Sequence, residues 1–211
     1  MRKTFLMLVL IALAALSIGA ATVLADDDGA DHSPAGSSVA CLNAKGGDDD
    51  ATEHESGGTV GAASHESGTR GDDNLEGTQG ADDVAGHDGN DEIDGNRGND
   101  DLQGDNGDDD ICGDDGADTI RGGAGNDDLD GGKGNDNVSG EAGNDSIRGD
   151  DGNDLLTGGK GRDAISGGAG NDRIRARDGR SDRINCGSGR DSVSADRSDK
   201  VARNCERVHR S

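Results

Sequence analysis

The chain has 211 residues, 39 glycines and a formal net charge of −24 at pH 7. One phenylalanine, no tyrosine and no tryptophan exclude a conventional core built on large side chains. Such acidity disfavours nucleic acid and anionic lipid as partners and favours multivalent cations.

From the N-terminus, Met1 to Ala25 reads as a secretory signal peptide. Arg2-Lys3 is its basic start, Phe5 to Ile18 its apolar run, and Val23-Leu24-Ala25 the cleavage site before Asp26. The alternative is an uncleaved membrane anchor, because apolar character continues nearly to Ala25. No cysteine follows the run, so a lipoprotein anchor is not expected. Export implies an oxidising compartment. The mature chain is expected to be secreted and extracellular, with no membrane insertion after cleavage.

Residues 26–67 are polar, acidic and non-periodic, which predicts a disordered linker. Its near-repeats Glu53-His54-Glu55-Ser56-Gly57 and Ser64-His65-Glu66-Ser67-Gly68 each hold a His-Glu pair. A zinc-protease helix needs a second histidine four residues after the first, and Gly58 and Thr69 stand there instead. A solvated linker is the simpler reading, with weak metal contact by these histidines as the alternative.

Residues 68–175 are a nine-residue unit written twelve times without a gap. A period this short and strict means a solenoid. Gly122-Gly123-Ala124-Gly125-Asn126-Asp127-Asp128-Leu129-Asp130 is typical. Glycine holds places one and four. Aspartate holds place six in every copy: Asp73, Asp82, Asp91, Asp100, Asp109, Asp118, Asp127, Asp136, Asp145, Asp154, Asp163 and Asp172. An aliphatic residue holds place eight. Two glycines three apart predict a tight turn that uses positive φ, and the polar-apolar-polar remainder predicts a very short strand. Two such units make one coil. Leu75, Ile93, Ile111, Leu129, Ile147 and Ile165 should then line one sheet, and Val84, Leu102, Ile120, Val138, Leu156 and Ile174 the other.

Coil stacking sets each place-six aspartate over another at about 4.8 Å, and that repulsion recurs at every step. A hard divalent cation relieves it, and carboxylates with turn carbonyls are the oxygen donors Ca2+ prefers. A dozen aliphatic side chains are too few to order 108 residues by themselves. The metal-free chain is therefore expected to be largely unfolded, with metal binding and folding as one event.

The unit resembles the RTX-type calcium-binding nonapeptide of hemolysin-type repeat proteins, Gly-Gly-x-Gly-x-Asp-x-aliphatic-x. The resemblance implies an all-β fold, a right-handed parallel β-roll solenoid with two short strands per 18-residue coil and calcium between loops. It also implies a six-oxygen site: carbonyls from places two and four of one loop and places one and three of the next, with both aspartates. One such site would use Gly123, Gly125 and Asp127 with Gly140, Ala142 and Asp145. Place two departs from the family pattern, being glycine only at Gly123, Gly132, Gly159 and Gly168. A place that offers only a carbonyl should tolerate this. Place five is usually asparagine, and Arg162 is expected to weaken its own site. His87, in a second place, should face solvent and is given no role. Family members exported in one step usually lack an N-terminal leader, so export of this chain is expected to differ.

After Arg175 the phase slips. Asp182-Arg183-Ile184 is one residue late, and Cys186 to Val193 is a degenerate copy. Residues 176–211 read as a small C-terminal cap whose basic side chains face the acidic roll, with a frayed tail as the alternative. A nucleic-acid tail lacks stacking aromatics. Cys186 and Cys205 are about one coil apart and are expected to bridge. Cys112 occupies an outward place and Cys41 lies in the linker. Whether those two pair stays open.

No Gly-x-Ser-x-Gly elbow and no Gly-Lys-Ser/Thr phosphate loop occurs, and each glycine-rich turn carries an acid where an anion would sit. RTX rolls often trail a protease or lipase domain, but no segment here is long enough to be one. The expectation is a secreted, non-enzymatic Ca2+-binding protein. The alternative is a calcium-dependent adhesion or extracellular-matrix module with a cell-surface or matrix partner. Ice binding would want a regular outward threonine row, and only Thr119 and Thr157 occupy such places.

Overall fold

A computed structural model describes residues 64–211. The signal-peptide reading, Cys41 and residues 26–63 of the linker lie outside the described residues. Every regular element within 64–211 is a strand, and every strand pairing is parallel. Two sheets carry the architecture, one of nine strands and one of eight, and successive strands alternate between them. The chain therefore winds as a parallel β-solenoid of about eight turns in the two-sheet arrangement of a β-roll.

The two aliphatic rows form as the nine-residue period predicts. In the nine-stranded sheet Ile120 pairs between Leu102 and Val138. In the eight-stranded sheet Leu129 pairs between Ile111 and Ile147. All twelve place-eight side chains are at most 3 % exposed and form one contiguous core. One apolar side chain per unit is enough to close the interior because each packs against its equivalents in the coils before and after it.

The strands are less uniform than the repeat. In the eight-stranded sheet they are mostly three residues, as in Asp128–Asp130. In the nine-stranded sheet several run to six, as in Thr119–Ala124 and Asn137–Ala142, because pairing continues into the following turn. The ladder also begins earlier than Gly68. His65–Ser67 pairs with residues 83–85, inside the segment read as linker, and Ser64 donates its N–H to Asp82 Oδ1 at 2.6 Å.

The two fixed glycines serve different ends. Most place-four glycines adopt positive φ, as at Gly125 (154°) and Gly134 (150°), and there an added Cβ would collide with a carbonyl oxygen one coil earlier. Place-one glycines have ordinary φ. At Gly113 a methyl group would lie 2.6 Å from Asp118 Oδ2 and 2.7 Å from the Gly131 carbonyl oxygen, so glycine is needed there for space. The left-handed turn position is place two. His87, Asn96, Asp105, Asp114, Glu141 and Asp150 occupy it with φ between 58° and 84°. The sequence reading put positive φ at both fixed glycines. The structure moves the first of these to place two, where aspartate and asparagine tolerate left-handed backbone.

Residues 176–211 continue both sheets with broken spacing. Ile184 pairs with Ile165, Val193 with Ile174, Val201 with Ile184 and Val208 with Val193. Cys186 and Cys205 form the expected disulfide, with a Cα–Cα distance of 5.2 Å. The basic side chains do not turn onto the acidic coils. Arg177 and Arg210 donate to the carbonyls of His209 and Asp196, while Arg173, Arg175 and Arg207 are exposed. Cys112, placed outward by its phase, is buried at 5 % exposure and is not a free thiol.

Candidate metal centre

The place-six aspartates form two columns, one along each row of turns. They are buried, most at 1–2 % exposure. From Asp91 to Asp172 each uses Oδ1 in the same way, accepting the main-chain N–H of the aspartate one coil earlier. Asp109 N donates to Asp127 Oδ1 at 3.0 Å, and Asp118 N to Asp136 Oδ1 at 2.9 Å. Place five runs the other way: Asn144 N donates to Asn126 Oδ1 at 3.0 Å, and Asn153 N to Asn135 Oδ1 at 2.9 Å. Asparagine recurs there because it supplies this acceptor. Arg162 still donates its N–H to Asn144 but offers no acceptor in return.

The second carboxylate oxygen is different. Oδ2 of Asp91, Asp100, Asp109, Asp118, Asp127, Asp136, Asp145, Asp154, Asp163 and Asp172 is buried and accepts no hydrogen bond. A buried, unpaired carboxylate oxygen is among the costliest groups in a folded chain. Ten in register mark where a positive ligand belongs. Each lies beside the cradle kept open by its place-one glycine, and at most of them a carbonyl oxygen of the next coil borders the same space, as Asp118 Oδ2 and the Gly131 carbonyl do around Gly113.

Electrostatics agree with this geometry. Burial, with neighbouring aspartates adding, lifts Asp136 and Asp145 to about 7 against the restraint of the N–H each accepts. Asp109, Asp118 and Asp154 rise to about 6 for the same leading reason. Among the described residues no three carboxylate, imidazole or thiolate side chains converge on one point. An ion between coils must therefore complete its shell with main-chain carbonyls. That all-oxygen donor set fits calcium.

Two of the twelve aspartates read from the sequence differ from the rest. Asp82 Oδ2 accepts the N–H of Thr78 at 2.7 Å, and its Oδ1 accepts both donors of Ser64. Burial alone would raise the Asp82 carboxyl, but these hydrogen bonds hold it below the usual range. Asp73 Oδ2 is likewise capped by Thr69. Conversely, the sequence reading missed Asp182 and Asp191. Their Oδ2 atoms are also buried and unpaired, and their Oδ1 atoms accept the N–H groups of Asp163 and Asp172. The signal was present, because each stands two residues before an aliphatic, Ile184 and Val193.

Along the outer faces several cations of the roll are paired. Arg121 binds Asp101, Lys133 binds Asp115 at 2.7 Å, and Arg148 spans Asp128 and Asp130 at 2.9 and 3.1 Å. His87 is half-exposed, with Nδ1 3.3 Å from Asp105 and Nε2 sharing a 2.8 Å hydrogen bond with Ser67.

A search of curated proteins finds no match. The family model for the RTX calcium-binding nonapeptide repeat matches in overlapping copies that begin at residues 67–102 and end at 157–193. These copies cover more than half of the chain and coincide with the coils whose carboxylates lie unpaired. The chain belongs to the RTX calcium-binding nonapeptide repeat family.

Proposed function

We propose that this chain is a secreted, non-enzymatic calcium-binding protein in which ion loading and folding are one reaction. The observation that carries the reading is the register of unpaired, buried Oδ2 atoms from Asp91 to Asp191. Bound calcium would supply the positive charge that offsets their mutual repulsion and their lost hydration. The chain's own part is to hold each carboxylate by an N–H on Oδ1, leaving Oδ2 and nearby carbonyls for the ion. Asp73 and Asp82, already capped by threonine, would hold calcium less well than the ten that follow. Capacity should be about ten ions, with one between each pair of stacked loops.

Among the described residues, one surface has the elements of a catalytic site without the means to use them. Ser67, His87 and Asp105 are joined in the order of a hydrolase triad. Four of the nearby main-chain N–H groups that would stabilise an oxyanion are already committed. Gly68 donates to Ala85, Thr69 to Asp73, Gly71 to Thr69 and Gly89 to Asn106. The histidine and aspartate side chains are also 49 % and 44 % exposed, so solvent screens their interaction.

Calcium titration of the chelated full-length chain, followed by calorimetry and far-UV circular dichroism, tests the reading. Cooperative gain of β signal at about ten ions per chain is expected. A chelated protein that keeps its full β signal would sink the coupling. A second reading, a calcium-dependent adhesion or matrix module, is favoured by the unpaired basic face at the C-terminal end.

A further inference from the structure

The cations among the described residues differ in what they meet. Arg97, Arg121, Lys133 and Arg148 each meet an aspartate of the roll. At the C-terminal end the outer face of the nine-stranded sheet presents Arg173, Arg175, Arg207 and His209, all exposed, with no side-chain ion pair among the described residues. Register fixes their arrangement. Arg173, Ser192 and Arg207 are in line across three strands, and Arg175, Ser194 and His209 form the parallel line beside them. Strand geometry spaces the basic groups about 7 Å apart along a strand and about 10 Å apart across the serine row.

We propose that this face binds an anionic polysaccharide. Guanidinium forks take carboxylate and sulfate groups in paired hydrogen bonds, and the two serine hydroxyls between them suit sugar hydroxyls. Nucleic acid is disfavoured because the face has no aromatic ring on which a base stacks. A bilayer is disfavoured because Val208 is the one large exposed apolar side chain among the described residues. A second copy is a poorer fit, since two of the aspartates it would present on the same sheet, Asp83 and Asp101, are already held by His65 and Arg121, leaving Glu141 as an outward acid with no ion pair among the described residues. The proposal rests on the calcium reading only insofar as calcium keeps the roll folded.

The test is retention of the calcium-loaded full-length chain on immobilised heparin, a sulfated glycan, with polyglutamate as a competitor carrying charge without sugar. Expected are salt-sensitive retention, poor competition by polyglutamate, and affinity at least about tenfold weaker for Arg173→Gln/Arg175→Gln. Arg183→Gln/Lys200→Gln, on the other sheet, should change affinity less than about twofold. Flow-through of the wild type, unchanged retention of the Arg173/Arg175 variant, or equal competition by polyglutamate would overturn the proposal. So would a salt-sensitive dimer in sedimentation velocity that the variant loses, which would assign the face to a second copy. Circular dichroism of the same samples separates the two readings. Retention without any calcium response in the fold refutes calcium coupling alone, and a calcium-dependent fold without retention refutes glycan binding alone.

Discussion

The roll from Gly68 to Arg175 and the segment from residue 176 to Ser211 continue the same two sheets but are held together differently. In the roll every coil repeats at 18 residues, and each carboxylate ladder leaves one oxygen unpaired on every place-six aspartate from Asp91 to Asp172. In the C-terminal segment the sequence spacing of stacked partners changes to 19 and then 17. There the ladders end on satisfied acids. Asp199 accepts N–H groups at both oxygens, from Asp182 and Asp196, and Glu206 accepts that of Asp191. A disulfide then ties Cys186 to Cys205. One region is built to be ordered by a ligand in every coil, whereas the other keeps unpaired carboxylate oxygens only at Asp182 and Asp191 and is otherwise closed by covalent and hydrogen bonds that need none.

Chelation should produce the largest effect and the clearest contrast. Excess chelator is expected to abolish most of the far-UV β signal of the roll, and hydrogen exchange should localise the loss to residues 68–175. Equal loss of protection throughout 64–211 would show that the C-terminal segment depends on calcium just as strongly. Next comes glycine. Gly125→Ala in the roll combines a φ of 154° with a carbonyl clash, so a cost of about 4 kcal/mol is expected in calcium-loaded chemical denaturation. Gly179→Ala has a φ of 85° but open space around it, and should cost about 1 kcal/mol.

Replacing both Cys186 and Cys205 with serine should cost about 3 kcal/mol by releasing their loop. Exchange should rise after residue 176 while calcium stoichiometry stays unchanged. Acid should act on the roll with a definite sign. Burial raises Asp136 and Asp145 to about 7, so the metal-free fold takes up protons. That contribution is fully present below the unfolded carboxylate value, near 4, and is lost as pH rises through about 6 to 7. Lowering pH from about 8 to about 5 in chelator should therefore recover β signal, while in calcium it should weaken ion binding. The smallest effect is local. Asp145→Asn should remove one or two ions from the calorimetric count, whereas Asp73→Asn, whose acid is already capped by Thr69, should remove at most one weakly held ion.

The contrast also explains what was legible beforehand. Place-eight aliphatics announced both sheets because a strict period leaves only one way to stack Leu129 between Ile111 and Ile147. Place-six aspartates announced the metal columns for the same reason. Asp182 and Asp191 were hidden by a one-residue slip that a fixed window does not follow, although the ladder absorbs it. The threonine caps on Asp73 and Asp82 were not legible, since place two shows variation without showing which variant turns its donors inward.

By itself, the sequence determined the period, the two inner rows, the aspartate columns and the Cys186–Cys205 bridge, because each follows from residues repeating at the pitch of a coil. Tertiary structure alone decided which glycine needs φ and which needs space, which carboxylate oxygens are left without a donor, and which arginines are paired. Those outcomes depend on atoms one coil away in both directions, and linear spacing brings such atoms near without fixing which of them point at one another.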